Sequence, residues 1–343
     1  MALVSVIVPA FNAQDTLSET LDSVRAQTLT DIEVIVVDDG STDNTAAVAA
    51  RHAEEDARVK RLSNVNSGVA RARNLAIASA DGAYVAPLDA DDIWHPRKLE
   101  LQLRRLQASP DAGLAYSWFR RIDERGVTIG ASPSPLVEGG VFHRHLAANF
   151  ISNGSAPMIR REALEAVSYE PGLRDAGAEG CEDYLLQLRI ARRWPFACAP
   201  GFLVGYRRRA GAMSNDVGRM IRSHIAMFSL LEHDAPASAM PIIQRRLAGF
   251  HVELARNRLR RARFVEAMRS SGQALQCHAL EAIVAGWEQV LLLAGDRQRG
   301  SPEAQRPFSA WAIDAPNGSW RPDRRVRDRY AAKQDLEFGK QAA

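Results

Sequence analysis

Three carboxylates that follow one short apolar stretch are the residues of this chain best placed to do chemistry. Residues 84–88 read as a buried strand, and Asp89, Asp91 and Asp92 come directly after it. Crowded carboxylates repel one another and raise their own pKa values unless a cation neutralises them. A divalent cation that also binds a phosphate group is their natural partner. For Asp92 the alternative is a cap on the helix predicted over 96–107.

A second acidic cluster follows another predicted strand. Residues 32–37 form this strand, and Asp38 and Asp39 end it. The first predicted strand, residues 4–8, ends at Pro9, and no glycine-rich dinucleotide fingerprint follows it. Alternating strands and helices predict a parallel sheet, where ligands bind beyond the carboxyl ends of the strands. We therefore expect both acidic clusters to face one crevice.

A third group of candidates lies on or before predicted helices. Arg73 belongs to a helix over 69–80, and Glu182 and Asp183 open a helical pattern that continues to Ile190. Carboxylates at a helix start interact favourably with the helix dipole. A capping role is therefore the alternative to a catalytic role for Asp183. Residues 16–19 read as a capping box for the first helix.

These candidates require an α/β domain to position them. The first 90 residues or so complete a βαβαβαβ unit, a size that fits a nucleotide site. Further strands are predicted at 114–119, 158–161 and 202–206, before a helical pattern over 220–294 with breaks at Pro236 and Gly272. The predicted domains are an α/β domain over 1–217 (with halves 1–107 and 108–217), a helical region over 218–296 and a loosely structured tail over 297–343.

Composition excludes several classes of protein. The 343 residues are 46% hydrophobic and 25% charged, and the net charge of +3 is too small to indicate nucleic-acid binding. The three cysteines are widely spaced, and no apolar segment is long enough to span a membrane, so we expect a cytoplasmic protein.

Residues 240–264 contain seven arginines and one acid, Glu253. This face is either solvated or in peripheral contact with anionic lipid headgroups.

Four motifs together resemble family 2 glycosyltransferases with the GT-A fold. Their order and spacing agree with that family over residues 3–107, with further agreement to about residue 216. The motifs are Val4-Ser5-Val6-Ile7-Val8-Pro9-x-x-Asn12, Val37-Asp38-Asp39-Gly40-Ser41-Thr42-Asp43, Asn66-x-Gly68 with Ala72-Arg73-Asn74, and Leu88-Asp89-x-Asp91-Asp92.

The resemblance implies a Rossmann-like, mixed but mostly parallel sheet flanked by helices, with the helical region appended. It also implies roles for individual residues. The nucleotide-binding residues would be Pro9, Asn12, Asp38, Asp39, Arg73 and Asp89, the metal ligands Asp91 and Asp89 for Mn²⁺ or Mg²⁺, and the catalytic residues Asp183 and Glu182. Relatives often carry a histidine where this chain has Arg209, and a guanidinium cannot bind a cation.

The resemblance implies a metal-dependent activity, the inverting transfer of a sugar from a nucleoside-diphosphate sugar to a hydroxyl acceptor in polysaccharide or glycoconjugate biosynthesis. A UDP-sugar is the expected donor, and a saccharide or lipid-linked molecule the expected acceptor. The Q-x-x-R-W element of processive synthases is not matched around Gln187, so we expect a non-processive enzyme. Two alternatives remain, a catalytically inactive nucleotide-sugar-binding scaffold and a metal-dependent phosphatase.

Overall fold

A computed structural model of the chain describes residues 2–209, 216–295, 308 and 331–336, and for residues 284–295 it describes the backbone alone. The strands are β1 (Val4–Ala10), β2 (Ile32–Asp38), β3 (Val59–Ser63), β4 (Tyr84–Pro87), β5 (Ile93–Trp94), β6 (Leu114–Ile122), β7 (Thr128–Ala131), β8 (Met158–Arg160) and β9 (Phe196–Arg207). The helices are α1 (Leu17–Arg25), α2 (Thr45–Glu55), α3 (Val69–Ala78), α4 (Lys98–Ala108), α5 (Phe142–Ala147), α6 (Gly172–Asp175), α7 (Glu182–Ala191), α8 (Val217–Glu232), α9 (Met240–Arg260) and α10 (Phe264–Gly295).

The strands of the described residues form one mixed sheet in the order β3-β2-β1-β4-β8-β6-β9-β5, with β7 paired to β6. β1 pairs in parallel with β2 and β4, and β2 pairs in parallel with β3. Every residue of β1 is buried, as is typical of a parallel strand that helices cover on both faces. The predicted parallel half of the sheet is confirmed.

The other half of the sheet is built differently. β8 lies between β4 and β6 and is antiparallel to both, whereas β9 is parallel to β6 and antiparallel to β5. β9 is longer than the predicted strand over 202–206 because it begins at Phe196. The predicted mixed, mostly parallel sheet flanked by helices is therefore the architecture of this chain.

Two helix starts differ from the sequence prediction. Thr16 precedes α1, but its hydroxyl donates to the carbonyl of Ala90 at 2.9 Å instead of capping the helix, and Glu19 pairs with Arg207. The capping box is therefore wrong, because tertiary partners take both side chains. The capping role for Asp92 is also wrong, since β5 intervenes and Arg97 precedes α4.

The C-terminal helices pack on the same hydrophobic core as the sheet, through residues such as Phe228 of α8 and Ile243 of α9. The predicted break at Gly272 is wrong, because Gly272 lies inside α10. The chain turns instead between α9 and α10, where Ala262 has a φ of 57°. No helix among the described residues is both long and apolar enough to cross a membrane.

Part of the predicted tail is described and is packed. Residues 331–336 are helical, and the buried carboxylate of Asp335 accepts hydrogen bonds from the backbone N–H groups of His143 and Arg144 at 2.6 and 3.1 Å. The prediction of a loose tail does not hold for this short helix. Apart from residue 308, the other residues of 297–343 lie outside those described. The domain boundaries stay a prediction.

Glu33 of β2 joins three neighbouring segments of the parallel half. Its carboxylate accepts hydrogen bonds from the Ser5 hydroxyl at 2.6 Å, the Lys60 ammonium at 2.8 Å and the backbone N–H groups of Asp81 and Gly82 at 2.7 and 3.2 Å. Burial alone would raise the pKa of Glu33, but these donors outweigh it and lower the pKa to about 2. The charged form of Glu33 therefore stabilises the fold.

We expect Glu33→Gln to lower the free energy of unfolding by about 2 kcal/mol at pH 7. Because the folded pKa lies below the ordinary value of 4.5, this stabilisation is present above pH 4.5 and is lost as the pH falls toward 2. Urea unfolding at pH 7, 4 and 2.5 measures it, with the exposed Glu54→Gln as control. This account would be contradicted if the free energies of unfolding of wild type and Glu33→Gln differed by the same amount at all three pH values.

Candidate active site

Two cavities open at the carboxyl ends of the parallel strands. One, here called the β1 cavity, is lined by residues that include Pro9 and Asp39 and has a volume of about 410 Å³. The other, here called the α7 cavity, is lined by residues that include Glu182 and Asp183 and has a volume of about 420 Å³. Val69, Asp89 and Asp91 line both of them. Asp89 and Asp91, two of the three predicted carboxylates after β4, therefore lie where the two cavities meet.

The structure brings most of the predicted site residues to these cavities. Pro9 and Asp39 line the β1 cavity, and Arg73, Glu182 and Asp183 line the α7 cavity. Asn12 and Asp38 are not among the lining residues. The amide oxygen of Asn12 accepts a hydrogen bond from the N–H of Thr42, and Asp38 accepts one from Ser41. Their assignment to nucleotide binding stays a prediction.

Asp39 holds the loop that precedes α3. One of its carboxylate oxygens accepts from the N–H of Ser67 at 3.0 Å, and the other accepts from the N–H of Gly68 at 2.7 Å. Gly68 has a φ of 91°, a conformation that favours glycine. Asp39 is only 3% exposed, yet it lines the β1 cavity. One of the oxygens, Oδ2, accepts a single hydrogen bond and retains capacity for a ligand N–H group.

Arg73 neutralises one of the three carboxylates after β4. Its guanidinium is buried, donates to Asp89 and lies over the ring of Tyr169 at 5.0 Å from the ring centroid. Gly154 leaves room for this pair. A Cβ atom at Gly154 would lie 3.3 Å from Asp89 Oδ2 and 3.5 Å from Asp183 Oδ2, so the same glycine faces both carboxylates.

Asp92 is held by protein donors. It is fully buried and accepts hydrogen bonds from the Ser155 hydroxyl at 2.6 Å, the Asn153 amide at 3.2 Å and the Arg207 N–H at 3.0 Å. Ser155 also accepts from the N–H of Asp89 at 3.0 Å. Asp92 therefore ties the loop after β4 to the loop before β8 and to the end of β9.

Asp91 has no such donors to its carboxylate among the described residues. Burial, followed by the charge of Asp89, raises the pKa of Asp91 to about 6. Arg209 lines the β1 cavity beside it, and its guanidinium lies 3.4 Å from the Thr16 hydroxyl. The Asp91 carboxylate is thus an anionic group that a cation in the cavity would stabilise.

Glu182 and Asp183 differ in their surroundings although they are adjacent. The Glu182 carboxylate is buried and accepts from the N–H of Gly180 at 2.9 Å, so it closes the loop before α7. Asp183 accepts from the N–H of Tyr184 at 2.8 Å, which leaves its second oxygen toward Gly154. Burial raises the pKa of Asp183 despite the opposing charge of Arg73. A carboxylate with a raised pKa is a better general base.

Several lining residues were missed by the sequence analysis. Phe11 lines the β1 cavity and is half exposed, and its position between Pro9 and Asn12 of the first motif was an available signal. Met220 and His224 line the α7 cavity from α8. No signal in the sequence places α8 against this cavity, because the contact depends on tertiary packing.

The metal-ligating side chains of this site fit a divalent cation only if a bound ligand completes the coordination. Among the described residues, no group of three or more His, Cys, Asp or Glu side chains is arranged to hold a metal ion. Asp89 and Asp91 supply carboxylate oxygens, which Mg²⁺ and Mn²⁺ prefer. The Asp91 carboxylate, whose pKa is raised despite the charges of Arg209 and Arg207, fits a cation whose remaining ligands come from a diphosphate and water.

Comparison with known proteins identifies the class. Residues 5–168 match the model of Glycosyl transferase family 2. An uncharacterized glycosyltransferase of Nostoc sp. (strain PCC 7120) is 35% identical over 191 residues, which cover 53% of this chain and 58% of that protein. The chondroitin synthase of Escherichia coli is 36% identical over 127 residues, which cover 37% of this chain and 18% of that protein. The family match therefore covers the part of this chain that contains Asp39, Asp89 and Asp91. The chain spans less than two thirds of the length of these relatives.

Solved structures confirm the fold. Staphylococcus aureus TarS 1-349 in complex with UDP-GlcNAc matches with a TM-score of 0.60 at 18% identity, covering 85% of this chain and 91% of that one. The mannosyltransferase PcManGT from Pyrobaculum calidifontis, in complex with GDP-Man and Mn²⁺, matches with a TM-score of 0.56 at 20% identity. The match covers 97% of this chain and 86% of that one. At these identities the likeness establishes the GT-A fold.

Proposed function

We propose that this chain transfers a sugar from a nucleoside-diphosphate sugar to a hydroxyl acceptor, with inversion at the anomeric carbon. The observation that carries the proposal is the position of Asp89 and Asp91, between a cavity lined by Asp39 and a cavity lined by Asp183. The nucleoside would occupy the β1 cavity, and the acceptor would enter the α7 cavity. The reacting sugar would then lie where the two cavities meet.

A UDP-sugar is the proposed donor. The TarS structure contains UDP-GlcNAc, and the PcManGT structure contains GDP-Man with Mn²⁺. Oδ2 of Asp39 has capacity to accept a hydrogen bond from an imide N–H group such as that of uracil. Asp89 and Asp91 would hold Mn²⁺ or Mg²⁺, which would neutralise charge on the departing diphosphate. Arg209 in the β1 cavity would add a positive charge beside the phosphates.

Asp183 is the proposed base. Its carboxylate would take the proton of the acceptor hydroxyl while the acceptor oxygen forms a bond to the anomeric carbon. The bond from that carbon to the diphosphate oxygen would break, and the nucleoside diphosphate would leave. Glu182 is the weaker candidate because the N–H of Gly180 already binds its carboxylate. Gly154 gives both the sugar and Asp183 space to approach.

The inactive scaffold and the phosphatase are the competing functions. A scaffold would bind the donor without turnover, and the free oxygen of Asp183 in the α7 cavity argues against it. A phosphatase finds no support in the family match. Polysaccharide or glycoconjugate biosynthesis is the proposed context, since one relative is named chondroitin synthase.

Donor binding should depend on Asp91 and a cation. We expect UDP-GlcNAc or another UDP-sugar with Mn²⁺ to raise the melting temperature of the protein, and chelator to abolish this rise. Asp91→Ala should lose the rise while keeping the melting temperature of the free protein, because removing a carboxylate whose pKa burial and the charge of Asp89 raise relieves that repulsion. Asp92→Ala is the matched comparison and should itself lower the melting temperature, since three donors lose their partner. An equal rise in chelator would refute the metal assignment.

Catalysis and donor binding should separate at Asp183. We expect Asp183→Asn to lower turnover roughly 10²- to 10⁴-fold while the donor Kd stays nearly unchanged, because the general base acts in the transition state. Glu182→Gln serves as the neighbouring control. Turnover, donor binding and melting temperature are measured on both variants. A fully active Asp183→Asn enzyme would show that the base lies elsewhere.

We also propose peripheral contact between anionic membrane and the corner of α9 and α10. Arg260, Arg261 and Arg263 are exposed there, beside the exposed apolar side chains of Phe264 and Met268. Other arginines of the 240–264 segment are engaged within the fold, as Arg246 is over the ring of Phe250. Exposed basic and apolar side chains together favour an anionic lipid surface.

We expect the protein to sediment with phosphatidylserine-containing vesicles but not with neutral phosphatidylcholine vesicles, and salt should release it. Replacing Arg260, Arg261 and Arg263 by Gln should weaken sedimentation strongly. The matched control replaces Arg51, Arg104 and Arg193 on other exposed surfaces. Equal sedimentation with both vesicle types would favour a merely solvated face.

A further inference from the structure

Helix α8 supplies one wall of the α7 cavity, although it lies beyond the matched family model. Met220 and His224 are one helical turn apart and both face the cavity. The segment before β8 supplies Asn149 and Ser152 to the same cavity. The proposed acceptor would therefore be enclosed between α8 and the loop that precedes β8.

The imidazole of His224 is fixed in one tautomer. Its Nδ1 lies 2.8 Å from the backbone carbonyl of Met220, and because a carbonyl only accepts, Nδ1 carries the hydrogen. Nε2 therefore has a lone pair to accept a hydrogen bond. The ring packs against Phe250, with ring centroids 4.7 Å apart, and burial lowers the pKa of His224. No described residue donates to Nε2, so the acceptor position is left for a ligand.

The two arginines that line the α7 cavity are already committed. Arg73 pairs with Asp89, and the guanidinium of Arg207 donates to the backbone carbonyls of Asp91, Asp123 and Glu124. The remaining charged lining groups are carboxylates. The connection from β9 to α8 carries Arg208 and Arg209, but neither is among the residues that line the α7 cavity, and residues 210–215 contain no charged residue in their sequence. The proposed metal ion would offset the charges of Asp89 and Asp91, but an anionic acceptor beside Glu182 and Asp183 would meet two further carboxylates, and both arginines of the described lining are engaged elsewhere.

We propose that the α7 cavity takes an uncharged saccharide as acceptor, and that Nε2 of His224 accepts a hydrogen bond from a hydroxyl group of that sugar. This inference rests on the proposed function and names the acceptor class of the same site. Asn149 and Ser152 supply further polar groups, and Met220 and Tyr206 supply apolar surface for a sugar ring. His224 is a binding residue for the acceptor, whereas Asp183 is the base.

The test uses matched pairs of p-nitrophenyl glycosides that differ only in charge, the β-glucoside with the β-glucuronide and the β-galactoside with the β-galacturonide. Binding to the 343-residue chain, loaded with UDP and Mg²⁺ so that no transfer occurs, is measured by saturation-transfer NMR. We expect at least one neutral glycoside to bind roughly tenfold or more tightly than its uronide partner. Transfer to the same glycosides supplies KM and kcat.

We expect His224→Leu to raise the acceptor KM by roughly 10- to 100-fold and leave the donor Kd unchanged, because a sugar hydroxyl loses its buried partner. His224→Gln keeps an acceptor oxygen and should recover most of this loss. His233→Leu, at an exposed position just after α8, is the matched control. Melting temperatures show that each variant is folded, and His224→Gln keeps the test decisive where His224→Leu is unstable.

Three results would overturn the inference. Equal or tighter binding of the uronides would reject the uncharged acceptor, as would a lack of binding by every neutral glycoside. An unchanged acceptor KM in His224→Leu would reject the role of His224. Each of these three failures leaves the proposed function intact if the donor still raises the melting temperature, whereas failure of every donor to bind overturns the proposed function itself.

Discussion

The mutual repulsion of the three carboxylates after β4, one buried and two half-buried, is the constraint on which the site depends. Each carboxylate meets a different partner. Asp89 pairs with Arg73, Asp92 is held by protein hydrogen-bond donors, and Asp91 is left with a raised pKa. Burial raises the pKa of Asp92 well above its usual value, so the carboxylate charge within reach of a ligand lies at Asp91, which lines both cavities.

The surrounding elements keep these carboxylates in place. Two hydroxyl groups bind the backbone of the same loop, since Thr16, just before α1, donates to the carbonyl of Ala90 and Thr20 of α1 donates to that of Asp92. On the other side, Arg207 at the end of β9 donates to Asp91 and contacts Glu19 of α1. A site built on several elements of one continuous core is more rigid than one built on a single loop. This rigidity is what keeps like charges close together.

The electrostatic character of the site changes from one cavity to the other. The β1 cavity includes Arg209, whereas the α7 cavity combines Glu182 and Asp183 with arginines that are already paired. A positive charge suits a diphosphate, and a carboxylate with a raised pKa suits proton removal from a neutral hydroxyl. This difference is the reason for proposing that the donor occupies the β1 cavity and the acceptor the α7 cavity.

The sequence by itself determined the parallel half of the sheet and the class of protein. Apolar strands with acidic ends, in that order and spacing, were sufficient to predict β1, β2 and β4 and to select Asp39, Asp89 and Asp91. These features are local or periodic, so they can be read along the chain. Helix breaks and caps were less well predicted. Glu19 and Asp92 satisfied local capping rules, but stronger tertiary partners hold them instead.

Only the tertiary structure decided which groups meet across the chain. It brought Gly154 against Asp89 and Asp183, buried Arg207 beneath the carboxylates and placed His224 in the α7 cavity. None of these contacts has a signature in local spacing, because each depends on how β9, α8 and the loop before β8 pack against the sheet. Long-range packing sets the neighbours of a side chain, and its neighbours set its charge and its hydrogen bonds.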